Sequence, residues 1–569
     1  MSLHNAFVSH STDSYPITVS NHLILHERTC IVLVHMKSTD SQEIGTDRGR
    51  EADRVTRAAG VVGVATLISR ILGFARDMVI AFFFGTGASA DAFFVAFRLP
   101  NLLRRLFAEG AFTVAFVPVF TQTMSREGKS YALETARAVL TALGVILAVL
   151  SVAGVLFAPA MVRVIAPGFT EDPAKLNQTI ELTRIVFPYI FFIGLVAGCM
   201  GVLNSLQHFA APALAPALLN LSMILAMVFF ASRFQEPVYA LAWGVMVGGI
   251  AQLLFQAPFM KRQGFSLRPS FRFRNPALKQ ILFLMTPAAL GAAVYQINIL
   301  VGTLLASLLP SGSVSYLYYA DRVVQFPLGI FAIALGTASL PSLSRFAAQR
   351  DMDGLVDTFS HSLRLTLFVA VPSTLGLILL REPIVSVLFQ RGAFGGAAAA
   401  QTASALLYYS MGLWASSALR VVLSGFYALQ DTKTPVKVAV LSLGANIAFS
   451  IVLMQFMAHN GLALATTLSS ILNFSFLLFL LRSKTSRLDG RTIGRSLAKT
   501  LSASAAMLIP VSLLARIPLP GGGPGRLFLT MASALIVFLG ASYALKSPEL
   551  GLMLRSLRRV REARSPSEA

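Results

Sequence analysis

The sequence predicts an all-α polytopic membrane protein of about fourteen transmembrane helices, arranged as two parallel six-helix lobes plus two extra C-terminal helices. Three observations carry that expectation. Mean hydropathy is +0.69, with 55% hydrophobic and only 13% charged residues over 569 positions, where soluble proteins carry roughly a quarter charged residues. Arginines sit inside apolar stretches, above all Arg70, Arg76, Arg104 and Arg105. A short string also recurs at long range: LQHFAAP (Leu206 to Pro212) returns as LQDTKTP (Leu429 to Pro435), an offset of 223 residues that also maps Pro118 onto Pro341. Chance reuse of helix-boundary prolines is the competing explanation of that match.

Residues 1–54 are polar, and their longest apolar run, CIVLV, is too short to span a bilayer or to form a signal-peptide core. They read as a disordered extension, either a functional tail or the product of a reading frame begun upstream of Met36. Windows of about 20 apolar residues then place helices near 58–84, 91–120, 135–158, 180–205, 212–232 and 238–259. The second set lies near 277–308, 313–344, 357–380, 398–429, 434–457 and 460–481, and two more lie near 494–515 and 526–546. The expected units are an N-lobe over 55–260, a C-lobe over 261–482, the added pair over 483–546 and a basic tail over 547–569. An even number of helices per repeat makes the lobes parallel, as in transporters that bind substrate between two halves.

Orientation follows from lysine and arginine in the loops. The 260–276 loop holds Lys261, Arg262, Arg268, Arg272 and Arg274, the 482–495 loop holds Arg482, Lys484, Arg487, Arg491 and Arg495, and 206–211, 309–312 and 458–460 hold none. Both basic loops and both termini are therefore expected in the cytoplasm. The formal charge of +21 is dispersed between hydrophobic segments, which reads as topology and excludes nucleic acid as a partner. Cys30 and Cys199 lie too far apart, in unlike contexts, to indicate a disulfide framework or a metal site. The Gly-rich RIPLPGGGPGR turn lacks the Lys-Ser/Thr of a phosphate loop and reads as an extracytoplasmic connection.

An arginine at the centre of a bilayer helix costs about 2.5–3.5 kcal/mol on insertion scales, so such residues face a water-filled cavity or a counter-charge. In SRILGFARD, Arg70 and Arg76 are separated by about 600° of helical rotation and Arg70 shares a face with Asp77. That spacing pairs Arg70 with Asp77 and leaves Arg76 freer. The second span carries Asp91, Arg98, Arg104, Arg105 and Glu109 on a helix interrupted by Pro100 and Gly110, with Arg105 and Glu109 as an i, i+4 pair. The second lobe supplies Asp321 and Arg322 in YYADRVVQFP, and Arg420 deep in the tenth span. Arginine suits a diphosphate, because its planar fork donates two parallel hydrogen bonds and keeps its charge. Snorkelling to headgroups or structural ion pairing is the competing reading of each of these arginines.

The strings SRILGFARD, DAFFVAFRLPNLLRRLFAEGAFTVAFVPVF, GSVSYLYYADRVVQFPLGIFAIALGTASLPSLS and GFYALQDTKTPVK closely resemble the MurJ (MviN-type) lipid II flippases of bacterial peptidoglycan synthesis, from about residue 56 onward. The resemblance implies the MOP-superfamily transporter fold, with the two extra helices forming a groove for the polyprenyl tail, and alternating access in the bacterial inner membrane. It places the family's functional positions on Arg70, Arg76, Asp91, Arg104, Glu109 and Arg322, with Arg105, Asp321 and Arg420 as secondary candidates. The arginines would contact the diphosphate and sugar head of lipid II; Asp91 and Glu109 would pair those charges or gate the cavity. Many relatives carry a glutamate where this chain has Gln325, and residues 1–54 have no usual counterpart.

No cofactor is implied; coupling to membrane potential or to a monovalent cation stays open. Expected partners are lipid II, membrane lipids and other cell-wall synthesis proteins. Asn298, in the seventh span, is read as a helix-packing residue. Three rivals are weighed. A membrane glycosyltransferase would use Asp351 and Asp353 as metal ligands, but no further acidic or His cluster accompanies them. A cation-drug exporter would line its cavity with carboxylates rather than arginines. A flippase for another polyprenyl-diphosphate glycan, such as an O-antigen unit, shares the phosphate logic and is separated only by the family strings.

Overall fold

A computed structural model of the chain describes residues 44–105, 112–272, 274–329, 333–485, 487–516, 522–553 and 555, and among them every regular element is helical. The first half holds α1 (Ile44–Phe84), α2 (Ala88–Leu103), α3 (Phe112–Glu127), α4 (Lys129–Leu156), α5 (Ala158–Ile165), α6 (Pro173–Val186), α7 (Tyr189–Ser205), α8 (Ala210–Phe230) and α9 (Val238–Arg262). The second holds α10 (Pro276–Ser307), α11 (Ser313–Pro327), α12 (Ile333–Ala348), α13 (Met352–Phe389), α14 (Gly396–Met411), α15 (Leu413–Ala428), α16 (Lys433–Met457) and α17 (His459–Thr485). Last come α18 (Gly490–Ala506), α19 (Leu508–Arg516) and α20 (Gly522–Ala544).

The two sets keep one spacing. A shift of 223 residues carries the end of α1, Phe84, onto the end of α10, Ser307, and the end of α9, Arg262, onto the end of α17, Thr485. The same shift links two strained residues: Gln207 and Gln430 adopt left-handed backbone with φ of 59° and 58°. Non-glycine side chains rarely accept that conformation. Its recurrence at corresponding helix junctions marks a structural repeat, against chance reuse of prolines. The turn works in both places because His208 N closes on Leu203 O at 2.8 Å and Asp431 N on Phe426 O at 2.9 Å, which satisfies carbonyls left open at the ends of α7 and α15.

Among the described residues ten segments, from Lys129–Leu156 to Gly523–Ala544, are long and apolar enough to cross a membrane. The expected count of about fourteen is consistent with them, the remaining four expected spans falling on α1, on α2 with α3, on α10 and on α11 with α12. α1 carries Arg70, Arg76 and Asp77. The second expected span is described as α2 and α3 and the eighth as α11 and α12, with a wide π-type turn at 104–105 and at 328–329 and with residues 106–111 and 330–332 outside the described residues.

With lipid on one side of each helix, association relies on close packing rather than on water exclusion. α8 and α9 meet where Gly244 and Gly248 admit Met223 and Leu219 of the facing helix. α10 crosses between the lobes: Leu278 and Ile281 pack with Phe112, Phe116 and Met260 of the first, while its second half meets α16. The largest core cluster joins α1 and α2 to α11, α13 and α14. α18 and α20 dock on α13 through Phe368, Ala503 and Phe538, with a ring contact of 5.1 Å between the two phenylalanines, and Arg364 of α13 binds Glu549, just past α20, at 3.2 Å.

Candidate functional site

α1 places Arg76 and Asp77 side by side at 6% and 1% exposure. Charges so buried demand partners, and three helices provide them. Arg76 Nη2 lies 2.6 Å from Asp77 Oδ1, and Nε donates to the same oxygen at 3.0 Å. From α8, Asn220 Oδ1 accepts from Arg76 Nη1 at 3.0 Å. From α11, the Tyr318 hydroxyl donates to Asp77 Oδ1 at 3.0 Å, and Arg322 Nε stands 2.9 Å from Asp77 Oδ2 in an ion pair that is not an aligned hydrogen bond. The Arg322 guanidinium also lies 5.4 Å from the Tyr318 ring centre, within reach of its π face. One carboxylate thus stands between two arginines, one from each lobe.

This arrangement corrects the pairing expected from helical spacing. Asp77 binds its neighbour Arg76 and the distant Arg322, whereas Arg70 is exposed and reaches across to Gly329, where a Cβ would collide with its guanidinium. Residues i and i+1 of a helix point about 100° apart, but an arginine is long enough to curl back to the adjacent carboxylate.

A second charged group lies beside the first. Asp321 feels the charges of Arg322, Arg98 and Arg105, and accepts from Gln325 Nε2 at 3.3 Å. Arg98 Nε is buried with no hydrogen-bond partner among the described residues. Arg104 lies on the π-type turn after α2, bound to Asn101 Oδ1 at 2.8 Å. Arg420 packs its Cβ 3.3 Å from the position a side chain at Gly336 would take, in the contact between α12 and α15. Glu109, and with it the expected Arg105 to Glu109 pair, lies outside the described residues. Arg70, Arg76, Arg98, Arg104, Arg105 and Arg322 against Asp77 and Asp321 leave a formal excess of four positive charges.

Asp91 stands apart from these arginines. At 1% exposure it pairs with Lys175 Nζ at 2.9 Å and accepts from Gly312 N at 2.7 Å, Ser315 N at 2.9 Å and Ser315 Oγ at 2.6 Å. A carboxylate from α2 therefore caps α11 of the other lobe, where backbone N–H groups and the helix dipole favour negative charge. Around it the second lobe bonds to backbone carbonyls of the first: Ala393 N donates to Phe82 O at 2.8 Å and the Tyr319 hydroxyl to Gly85 O at 3.3 Å. Gly85, at φ 56°, has no room for a Cβ beside Ala393. The end where α1 and α10 finish is sealed. Arg70 and Asp321 are exposed and the Arg322 side chain keeps 37% of its surface.

Other expectations resolve simply. Asn298 accepts from Asn446 Nδ2 at 2.6 Å, a contact between α10 and α16 that fits the packing role. Asp351 caps α13 by accepting from Gly354 N at 2.9 Å, and Asp353 pairs with exposed Arg487. Among the described residues no group of three or more His, Cys, Asp or Glu stands close enough to hold a metal ion. Sequence reading missed Asn220, Tyr318 and Lys175. Asn220 had one detectable signal, a polar amide within an otherwise apolar span.

The geometry has parallels in known proteins. The family model described as "Lipid II flippase MurJ" matches residues 80–533. The lipid II flippase MurJ of Burkholderia cenocepacia is 41% identical over 428 residues, covering 74% of this chain and 83% of its own. The probable lipid II flippase MurJ of Vibrio cholerae is 40% identical over 431 residues, covering 74% and 82%. Among solved structures, a lipid II flippase MurJ in an inward closed conformation superposes with a TM-score of 0.71 at 25% identity, covering 84% of this chain and 97% of that one. An inward-facing multidrug resistance MATE family transporter of the MOP superfamily, at 14% identity and a TM-score of 0.62 over 75% and 98% of the two chains, shares the fold. A family match across both lobes, together with relatives near 40% identity, places this chain in the MurJ family of lipid II flippases.

Proposed function

We propose that this protein flips lipid II from the cytoplasmic to the outer leaflet of the bacterial inner membrane by alternating access, with Arg76 and Arg322 as the core of a diphosphate site. The observation that carries the reading is the single Asp77 carboxylate placed between those two arginines, in a region with excess positive charge. A diphosphate has the charge and oxygen spacing to replace Asp77 on both guanidinium groups, drawing one arginine from each lobe onto a shared ligand. Arg70, Arg98, Arg104 and Arg105 add attraction for the anionic head, and Asp321 restrains that field.

In the same reading both termini face the cytoplasm and the sealed end faces outward. The divisions at 55–260 and 261–482 then correspond to the moving lobes, and the polyprenyl tail lies in lipid against α18 and α20. Turnover requires the ligand to bind the inward and outward arrangements unequally. The contacts to be broken on outward opening are those of Asp91 with Lys175, Gly312 and Ser315. A net positive cavity also senses membrane potential, at about 2.3 kcal/mol per charge per 100 mV.

Complementation tests the proposal. A strain depleted of its own lipid II flippase receives the full chain, a form starting near Val55, and Arg76→Ala and Arg322→Ala variants, all checked for membrane expression. Rescue by both wild-type forms and by neither variant is the expected outcome. Failure of expressed wild-type protein would point to another polyprenyl diphosphate, and rescue by the arginine variants would reduce those charges to structural pairs.

A further inference from the structure

We propose that Asn220 is a positioning residue that holds Arg76 in its ligand-facing orientation while Asp77 gives way to an anion. The inference rests on the diphosphate reading of this site and adds what keeps the arginine in place during the exchange.

Asn220 lies in α8 at 7% exposure. Its two amide atoms have separate tasks: Oδ1 accepts from Arg76 Nη1 at 3.0 Å and Nδ2 donates to the Ser69 carbonyl at 3.1 Å. Those partners also fix the amide's orientation, because a guanidinium can only donate and a carbonyl can only accept. Gly73, one turn beyond Ser69, opens the space; a Cβ there would stand 3.4 Å from Asn220 Nδ2. Asn220 therefore grips the α1 backbone with one atom and the Arg76 head with the other.

The Arg76 fork is divided accordingly. Nε and Nη2 face the Asp77 carboxylate, and Nη1 faces the neutral amide. When an anion displaces Asp77, the ionic edge changes partner and the amide edge need not. A neutral acceptor suits this task because it orients the guanidinium without neutralising it. A carboxylate at position 220 would compete with the ligand for the guanidinium's charge and would lose the bond to the Ser69 carbonyl, which can only accept. In the second lobe, Ile299 corresponds to Arg76 and Leu443 to Asn220 by the 223-residue shift, so the amide is present only where there is an arginine to hold.

Full-length protein in nanodiscs, titrated with undecaprenyl diphosphate, separates positioning from packing. Packing alone predicts that Asn220→Leu, which loses both hydrogen bonds, is the more damaging change and that Asn220→Asp, which loses only the bond to Ser69, is the milder one. Positioning predicts that Asn220→Asp binds about tenfold or more weakly, beyond what its change in melting temperature accounts for, and that Asn220→Leu weakens binding less. Equal affinity for Asn220→Asp and wild type, or affinity losses that only follow melting temperature, would overturn the proposal. Asn220→Ser, too short to reach Arg76, serves if neither variant folds: unchanged affinity in this variant would also overturn it. Nitrogen-15 arginine spectra read the grip without ligand, with slow Nη rotation expected for Arg76 in wild type and fast rotation in Asn220→Ser; slow rotation in both would refute it. Should wild type bind no undecaprenyl diphosphate, the diphosphate reading fails, and these spectra still decide whether Asn220 holds Arg76.

Discussion

At positions 76 and 77 the first lobe buries Arg and Asp inside α1; 223 residues later, at matching positions of α10, the second lobe carries Ile299 and Leu300. The contrast continues one helix on, where Arg98 corresponds to Asp321 and buried Asp91 to Val314. Backbone features survive where side chains do not. Each lobe has a small cavity beside its second expected span. In the first it is lined by Arg104, Phe112, Leu143, Leu147, Ile190 and Gly194, and in the second by Pro327, Leu335, Thr366, Ala370, Leu413 and Ser417, six pairs at the same shift. Helix packing constrains the shape of both lobes alike, while the chemistry of the interior is free to differ. In the proposed mechanism the first lobe supplies most of the charge, and the second brings Arg322 to it.

The sharpest way to break this comparison is to give α1 the residues of α10. Replacing only Asp77 with Leu strands Arg76 in a buried site, and removing one partner of a buried pair costs about 3–5 kcal/mol. The double change Arg76→Ile with Asp77→Leu removes both buried charges and leaves Arg322, which is partly exposed, as the only member of the triad still charged. Such hydrophobic replacements are often neutral or even stabilising by about 1–4 kcal/mol. The double variant should therefore fold with near-native thermal stability and yet fail complementation, while the single variant is defective in both. A double variant that still rescues would show that the asymmetry between lobes has no part in transport.

Next in size is the seal. Asp91→Ala takes the cap from α11 and leaves Lys175 buried without its carboxylate; loss of a cap alone costs about 0.5–2 kcal/mol. Hydrogen exchange in the first turn of α11, at Ser315 and Tyr316, should accelerate by at least tenfold, with α14 and α15 unchanged. Unchanged protection at Ser315 would separate the Asp91 contacts from closure.

How much of this was legible in the sequence depended on range. Helix positions, the repeat and the choice of Arg76, Arg104 and Arg322 as candidates rest on local hydropathy and charge, which are read along a single chain. Asp77's choice of partner does not, because Arg322 lies 245 positions away and arrives only when α11 packs on α1. Asp91 and Lys175 are 84 positions apart and meet for the same reason. The position of Gly329 beside Arg70 is likewise a property of the contact between lobes, with no periodicity to announce it.

A smaller contrast lies between the Arg76, Asp77 and Asn220 network and its uncharged counterpart, in which Asn446 Nδ2 binds Asn298 Oδ1. Asn298→Leu should cost about 1–3 kcal/mol by leaving the Asn446 amide without that partner, and the double change to leucine should recover most of the loss. Thermal unfolding of the three variants measures the coupling. An additive double variant would show that each amide has an independent role.

The least effect is expected at the junctions where Gln207 and Gln430 share a left-handed turn. The residue after Gln430 is Asp431, paired with Lys484 at 2.7 Å and bound to Thr434; the corresponding residues of the first lobe are His208 and Lys261. Burial alone would raise the Asp431 carboxyl, but hydrogen bonds from Lys484 and Thr434 outweigh it and hold the value at about 2. Because the folded value lies below the unfolded one, about 3.9, Asp431 stabilises the fold fully only above the unfolded value. That contribution is lost as pH falls from about 3.9 toward 2. Asp431→Asn should flatten this part of the stability profile while shifting neutral-pH stability by about 1 kcal/mol or less, since the pair is partly open to solvent and screened. His208→Asn, at the matching turn, should leave the same acid limb unchanged, because no carboxylate titrates there. An equal response to both substitutions would mean that the shared backbone turn, rather than the Asp431 to Lys484 pair, controls acid stability at the two junctions.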